Sequence, residues 1–282
     1  MPLRRILFPV DFSPNCEQAA QFVRFFAEQF ESEVLLLHVM PPVEHLVSML
    51  EVDGGDTDSL RRGWADRHHA RLERFLADQF PTAQRILLEG EPGMEIARFA
   101  ELQKIGLIVM PTHGFSLMRR FVLGSVTARV LHDAPSAVFT GLPGTTFRGV
   151  KSIVCAVDLR EQSAKTLEWA ARLAGPIKAK LTVVHASPAV NTPSVVAFDG
   201  DLTTRLAGEA RERIEALLSE LNVEAQIGVR PGDAAEVIRE AEQEHAADLL
   251  VLGRGAVAGG LGRLRAHSYS IINQTLCPVI SV

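Results

Sequence analysis

The sequence predicts an α/β protein built from two consecutive copies of one open, five-stranded parallel sheet flanked by helices. Three observations support this prediction. The chain repeats itself at a nearly constant offset, its short apolar runs alternate with longer amphipathic segments, and 282 residues correspond to about two domains at roughly 150 residues each. Alternation of strands and helices is typical of parallel sheets with right-handed crossovers.

The internal repeat is clearest where each half begins. An apolar run ends at Asp11 in the first half and a similar run ends at Asp158, 147 residues later. The same offset separates His38 from His185, each near the end of a second apolar run. Both histidines are expected to be hydrogen-bonded residues at the rim of the core rather than catalysts.

The offset shortens later in the chain, which locates a deletion in the second copy. Leu107–Met110 and Leu249–Leu252 lie 142 residues apart, so five residues are missing from the middle of the second copy. The Gly-, Pro- and Thr-rich stretch 141–149 is the natural linker. We therefore predict domains at residues 1–144 and 149–282.

Five apolar runs in the first copy are predicted strands. Most are continuously apolar rather than alternating, which is typical of strands buried on both faces of a parallel sheet. The runs are Ile6–Val10, Val34–Val39, Arg85–Leu88, Leu107–Met110 and Ala137–Thr140.

Four segments between these runs have helical periodicity. In the first of them, apolar residues such as Ala19, Val23 and Phe26 recur on one helical face. Ser13 supplies an N-cap side chain, and Pro14 suits the first helical position. The predicted helices are Cys16–Phe30, Arg61–Phe80, Gly93–Lys104 and Ser125–His132.

Composition excludes several classes of protein. A formal net charge of −5 argues against a dedicated nucleic-acid binder, which needs a basic face. The apolar runs are far shorter than the roughly 18 residues of a membrane span. Three cysteines without a CxxC pair indicate reduced thiols and a cytoplasmic location. Among them, Cys16 opens a helix, a position that can stabilise a thiolate.

Candidate binding residues follow the ends of the predicted strands, where open α/β sheets bind ligands. Asp11 follows the first strand, and its carboxylate is suited to accept hydrogen bonds from ribose hydroxyls. Thr112, His113 and Gly114 follow the fourth strand. Nine residues then separate Gly114 from Gly124, which opens a helix. Glycines beside a helix N-terminus with free N–H groups can form a phosphate cradle.

These motifs resemble the universal stress protein family in its tandem two-domain form. The family pattern is Gly, two residues, Gly, nine residues, Gly, then Ser or Thr, and it matches here from Gly114 through Ser125. The opening segment 10–13, Val-Asp-Phe-Ser, and the strand segment 37–39, Leu-His-Val, also match. The resemblance covers nearly the whole chain.

The resemblance implies Rossmann-like (adenine nucleotide alpha hydrolase-like) domains. For the ATP-binding branch of the family it implies that Asp11 contacts ribose, that backbone around Val39 contacts adenine, and that the glycine-rich segment holds the phosphates. Whether Mg²⁺ accompanies the nucleotide is left open. The implied nucleotide-binding residues are Pro9, Val10, Asp11, Ser13, Val39, Met110, Thr112, His113, Gly114, Gly124, Ser125 and Val126.

Two departures from the family pattern bear on binding. Pro111 replaces the first glycine of the pattern and lacks the N–H group that a ligand would use. In the second copy His267 stands where the first has Gly124, so a side chain would obstruct a phosphate. We expect the second domain to lack ATP, or to bind a different ligand through Arg254, Arg263 and Arg265.

The function that follows is an ATP-binding stress-response or sensing module with little or no catalysis. The sequence contains no GxSxG nucleophile elbow, HExxH motif or Walker sequence. A nucleotide-free interaction or signalling protein and a slow ATP hydrolase stay open as alternatives. The resemblance also implies that the two domains pair through their last strands and that the protein forms a homodimer; no nucleic-acid or membrane partner is expected.

Overall fold

The computed structural model divides the chain into two compact units, Met1–Phe147 and Arg148–Val282. The boundaries 1–144 and 149–282 stay a prediction. The residues that the structure describes are 3–42, 57–112, 123–141, 147–188, 199–254 and 266–282.

The first unit is a five-stranded parallel sheet in the order β3-β2-β1-β4-β5. Because the chain runs outward from β1 to β3 on one side and then continues with β4 on the other, the switch point lies between β1 and β4. The elements are β1 (Arg5–Pro9), α1 (Pro14–Phe30), β2 (Glu33–Met40), α2 (Thr57–Arg74), β3 (Gln84–Glu89), α3 (Pro92–Leu102), β4 (Leu107–Pro111), α4 (Ser125–Asp133) and β5 (Ala137–Gly141).

The second unit repeats this arrangement, with strands in the order β8-β7-β6-β9-β10. The predicted fold class, two tandem Rossmann-like α/β domains, is therefore confirmed. The elements are β6 (Ser152–Ala156), α5 (Ser163–Ile177), β7 (Lys180–Ser187), α6 (Asp199–Leu221), β8 (Gln226–Pro231), α7 (Ala234–Glu244), β9 (Leu249–Leu252), α8 (Ala266–Gln274) and β10 (Val279–Ser281).

The core explains why the strands are continuously apolar. Ile6, Leu7 and Phe8 of β1 are fully buried although consecutive residues point to opposite faces of the sheet. Helices cover both faces, and Phe26 of α1 packs its ring edge-on against Phe139 of β5. Burial of each such side chain contributes roughly 1.5–3 kcal/mol.

Helix α1 begins as the sequence predicts. The Ser13 hydroxyl oxygen accepts a hydrogen bond from the Cys16 N–H at 3.2 Å, and Pro14 is the first helical residue. The helix ends at Glu31, whose φ of +51° is left-handed. Cap and terminus together fix where the chain leaves β1 and returns to β2.

Helix α2 ends earlier than predicted, at Arg74 rather than at Phe80. The guanidinium of Arg85, on β3, donates hydrogen bonds to carbonyl oxygens at and beyond the end of this helix, at 3.1–3.5 Å. The guanidinium offers up to five N–H donors in a rigid fork, which suits several carbonyl oxygens at once. The acceptor carbonyls belong to Leu72, Phe75, Phe80 and Ala83.

Within the described ranges, no helix has the length and apolar character needed to cross a lipid bilayer.

Candidate functional site

Asp11 lies in a tight turn immediately after β1, at the switch point of the first sheet. Its Oδ1 accepts a hydrogen bond from the Ser13 N–H at 2.9 Å, and the intervening Phe12 has a left-handed φ of +63°. The turn engages one carboxylate oxygen, which leaves Oδ2 outside the turn. The half-buried carboxylate is thereby held in a fixed orientation at the edge of the sheet where its strands have their carboxyl ends.

The second unit repeats this turn. Asp158 Oδ1 accepts hydrogen bonds from the Arg160 N–H and the Ser163 hydroxyl, each at 3.0 Å, and Leu159 has a φ of +56°. The acidic turn therefore belongs to both copies, and the difference between the copies must lie elsewhere.

Each unit also fixes a histidine against the residue that precedes its acidic turn. His38 Nδ1 lies 2.7 Å from the Val10 carbonyl oxygen, and His185 Nδ1 lies 2.9 Å from that of Val157. A carbonyl only accepts, so Nδ1 carries the proton and Nε2 is the acceptor in the neutral ring. Both histidines are therefore hydrogen-bonded as expected, His38 in a buried position and His185 in a half-buried one.

In the first unit a second histidine completes this hydrogen bond chain. His68 Nδ1, on α2, lies 2.7 Å from His38 Nε2. Burial is the main cause that lowers the pKa of both rings, and the Arg71 charge lowers both further. Both imidazoles are therefore neutral at neutral pH, and His68 Nδ1–H donates to His38 Nε2.

Aromatic packing closes α2 onto the carboxyl ends of β1 and β2. We call Phe12, Trp64, His68, Arg71 and Phe75 the closing cluster. Ring centroids are 4.6 Å apart between Trp64 and His68 and 5.2 Å apart between Phe12 and Phe75, and the Arg71 guanidinium lies 4.3 Å from the centre of the Phe12 ring. Sequence reasoning missed this cluster, although its members from α2 onward recur at spacings of four, three and four residues, which is one helical face.

The N-terminus of α4 is held at the end of β4. Gly124 caps the helix without a side-chain hydrogen bond, and its N–H donates to the Thr112 carbonyl at 2.8 Å. The Thr127 hydroxyl donates to the Pro111 carbonyl at 3.1 Å. Since no side chain caps the helix, its first-turn N–H groups stay suited to an anion.

The structure brings most of the predicted site residues to one edge of the first sheet, at or after the ends of β1, β2 and β4 and at the start of α4. His113 and Gly114 lie outside the described residues, as do Arg263 and Arg265 of the second copy. The residues brought together are Pro9, Val10, Asp11, Ser13, Val39, Met110, Thr112, Gly124, Ser125 and Val126.

Cys16 lies at the start of α1, where a thiolate can be stabilised, but the structure does not favour a thiolate there. Its side chain is fully buried, and desolvation together with the nearby Asp11 charge raises the pKa of the thiol far above its ordinary value. Burial likewise raises the pKa of Cys155 to about 12. These thiols are protonated and inert at neutral pH.

Among the described side chains, no group of three or more His, Cys, Asp or Glu residues is placed to hold a metal ion.

A twice-repeated open α/β sheet, with an acidic turn after its first strand and a fixed helix N-terminus after the fourth strand of the first copy, defines a tandem Rossmann-like protein. The chain belongs to the universal stress protein family, a family of stress-response modules, whose sequence model matches residues 2–140 and 149–282.

The chain is also similar to individual relatives and solved structures. A universal stress protein of Methanocaldococcus jannaschii is 30% identical over 149 residues, covering 48% of this chain and 92% of that protein. The crystal structure of a universal stress protein from Archaeoglobus fulgidus superposes with a TM-score of 0.74 at 20% identity, covering 99% of this chain and 97% of that one. A universal stress protein solved in complex with cAMP has a TM-score of 0.33 at 22% identity and covers 47% of this chain and 97% of that one.

Proposed function

We propose that the first unit binds an adenine nucleotide, ATP, between the ends of β1 and β4, and that the protein acts as a stress-response or sensing module with little or no catalysis. The observation that carries the proposal is the uncapped N-terminus of α4, fixed through Gly124 and Thr127 to the end of β4. Its N–H groups and positive dipole end suit a phosphate.

The other parts of the site fit the remainder of a nucleotide. Asp11 Oδ2 would accept hydrogen bonds from ribose hydroxyls, because the turn already engages Oδ1. Backbone near Val39, at the end of β2, would meet the adenine edge. The exposed Ser125 hydroxyl would donate to a phosphate. Mg²⁺ would arrive bound to the phosphates, since the described side chains form no metal site of their own.

Little catalysis follows from the state of the nearby side chains. His38 is neutral and engaged at both ring nitrogens, and Cys16 is buried with a raised pKa. Neither group is poised to activate water. A slow ATP hydrolase is therefore the weaker alternative. Pairing of the domains through their last strands, a homodimeric state and a cytoplasmic location complete the proposal.

A nucleotide-free interaction protein is the stronger alternative, because the closing cluster packs α2 over the ends of β1 and β2 beside the site. Mass analysis of nucleotide released from the purified chain distinguishes the two functions. Co-purified or tightly binding ATP supports the proposal. A chain that neither carries nor binds ATP would overturn it.

Matched substitutions in the two acidic turns test the assignment of the site. Asp11→Asn keeps the acceptor for the Ser13 N–H but removes the charge, so we expect ATP affinity to fall about tenfold, as a charge-assisted hydrogen bond is lost. Asp158→Asn makes the same change in the second unit and should leave ATP binding unchanged. Equal effects of the two substitutions would refute the assignment. Phosphate release, measured alongside, tests the hydrolase alternative.

A further inference from the structure

Two histidines join α2 to the ends of β1 and β2 in the first unit. The rings of His38 and His68 are nearly parallel, with centroids 4.9 Å apart and planes inclined by 11°. His68 Nδ1 lies 2.7 Å from His38 Nε2, and His38 Nδ1 lies 2.7 Å from the Val10 carbonyl oxygen. One chain of hydrogen bonds therefore links the backbone after β1, a side chain of β2 and a side chain of α2.

The backbone carbonyl at one end of this chain fixes where protons can be added. Because the carbonyl only accepts, His38 donates through Nδ1 and accepts from His68 through Nε2. A first added proton goes to His68 Nε2, where it keeps both hydrogen bonds but adds a charge. A second proton would have to go to His38 Nε2, and two N–H groups would then face each other across 2.7 Å. The pair must therefore separate before it can hold two added protons.

The charges around the pair oppose even the first proton. The charged groups that act on the two rings are Asp11, after β1, and Arg67 and Arg71 of α2. Glu89, which ends β3, is paired with Arg61. Burial, the largest cause, and the arginine charges lower the pKa of both histidines. Rings released into water would regain the ordinary pKa of 6.5 and take up protons more readily, so acid favours their release.

The two halves of α2 are held differently. In the C-terminal half, Leu72 is fully buried and its carbonyl accepts a hydrogen bond from Arg85 of β3. In the N-terminal half, Trp64 is only half-buried, and the Arg61–Glu89 ion pair is exposed, so that it holds the helix weakly. Among the described residues, the buried Nε1 of Trp64 has no hydrogen-bond partner, a cost that contact with water would remove. The N-terminal half is therefore the part of α2 that can leave the sheet.

We propose that the N-terminal half of α2 is an acid-released latch over the carboxyl ends of β1 and β2, held closed by the hydrogen bond between His38 and His68. Near neutral pH both rings are neutral and the latch is closed. Acidification releases it, while Leu72 and Arg85 keep the C-terminal half of the helix on the sheet.

The latch belongs to the first unit and not to the second. In the second unit His185 keeps the contact between Nδ1 and the Val157 carbonyl, but Ala210 stands at the position of His68 and supplies no ring nitrogen. Release uncovers the strand ends whether or not a nucleotide binds there, so the latch goes beyond the function proposed above. If ATP occupies the first unit, its access to the site becomes dependent on pH.

Hydrogen exchange of backbone amides in the full chain, without nucleotide, measures the release. A released segment of about 12 residues is too short to remain a stable helix, so its amides exchange. Each ring that is neutral when closed and has the ordinary pKa of 6.5 when released increases the opening constant about tenfold between pH 7.5 and pH 5.5. After correction for the intrinsic exchange rate, we expect peptides from residues 59–70 to lose protection about ten- to a hundredfold over this range, while far-UV circular dichroism stays nearly unchanged. A loss below about tenfold, or a parallel loss of circular dichroism, would overturn the proposal.

Matched variants identify the ring responsible. His68→Asn can still donate from its amide to His38 Nε2 but takes up no proton, so its loss of protection should be at least about threefold smaller than that of the unsubstituted chain. His69→Asn makes the same change at an exposed position of α2 and should leave the loss unchanged. His38→Gln, which can still accept from His68, repeats the test should His68→Asn not fold. A folded His68→Asn or His38→Gln variant that responds to pH as the unsubstituted chain does, or a His69→Asn variant that loses the response, would refute the role of the pair.

Discussion

A buried carboxyl group in the second unit gives a sharp thermodynamic prediction. Glu242 of α7 is 3% exposed; its Oε1 is paired with the Thr275 hydroxyl, and its Oε2 accepts from the Leu276 N–H at 2.9 Å. The Thr275 hydroxyl also lies 3.0 Å from the Cys277 carbonyl. One hydroxyl proton cannot serve both acceptors, so a proton on Oε1 satisfies the whole network. Burial, the largest cause, raises the pKa of Glu242 accordingly.

Two substitutions separate the contributions of Glu242. Glu242→Ala leaves the Leu276 N–H unpaired, at about 1–3 kcal/mol, and removes a hydrogen bond to Thr275, worth about 1 kcal/mol. We therefore expect the free energy of unfolding of the second unit to fall by about 2–4 kcal/mol. Glu242→Gln can donate to Thr275 and accept from Leu276, so it should preserve the network.

The pH dependence follows from the direction of the pKa shift. Because the folded pKa lies above the ordinary value of 4.5, the stability contributed by Glu242 is fully present below that value and declines as pH rises. Glu242→Gln should therefore gain stability relative to the unsubstituted chain between pH 5 and pH 8.

Urea titration measures both effects through Trp169, which lies in the second unit; Trp64→Phe removes the other of the two tryptophans. A loss of 2–4 kcal/mol corresponds to a midpoint shift of about 1–2 M for a slope of about 2 kcal/mol/M. A midpoint of Glu242→Ala within about 0.2 M of the unsubstituted chain would refute the reasoning. So would a Gln variant that loses relative stability as pH rises.

Three further outcomes are expected. The folded pKa of His68 lies below its ordinary value of 6.5, so its stabilising contribution is present above that pH and is lost on acidification. Because His68→Ala removes this contribution, the urea midpoint of the variant should fall less between pH 7.5 and pH 5.5 than that of the unsubstituted chain. Gly90→Ala should destabilise the first unit by about 1–3 kcal/mol, because Gly90 has a φ of +152° and a Cβ there would lie 2.8 Å from Glu95 Cγ. The control is Gly63→Ala on α2, where a Cβ meets open space, and this substitution should be stabilising. Thermal unfolding compares the two variants. Cys16 should resist thiol-labelling reagents in the native protein and react on addition of denaturant; rapid native labelling would contradict this.

The parts of the fold that local chemistry controls were predictable from the sequence. Continuous apolar runs specified the strands, and the Ser13–Pro14 pair specified the start of α1. The end of α2 was not predictable, because the carbonyl groups there are hydrogen-bonded by Arg85, which lies on β3 and not on the helix. No periodicity within the helix contains that information.

The site shows the same division. Asp11 and Gly124 follow from the order of strands and from glycine spacing. The pairing of His38 with His68 depends on the approach of two elements 30 residues apart, so no local motif announces it. In the segment expected to bind phosphates, the second copy matches the family pattern less well than the first does. On α6 of the second copy, the smaller Leu206 and Ala210 stand at the positions that Trp64 and His68 occupy on α2 of the first copy.

The hydrogen bonds of Arg85 have a mechanical consequence for the first unit. Two of the four acceptor carbonyls, those of Leu72 and Phe75, lie in the last turn of α2 and just after it, so a shift of α2 along its axis by a single residue, about 1.5 Å, would misalign both bonds together. Arg85 therefore helps to fix the position of α2 along its axis, and with it the position of Trp64 and His68 over the ends of β1 and β2. Its counterpart in the second copy is Ile227, whose side chain has no hydrogen-bond donor, so the second unit does not fix α6 in this way.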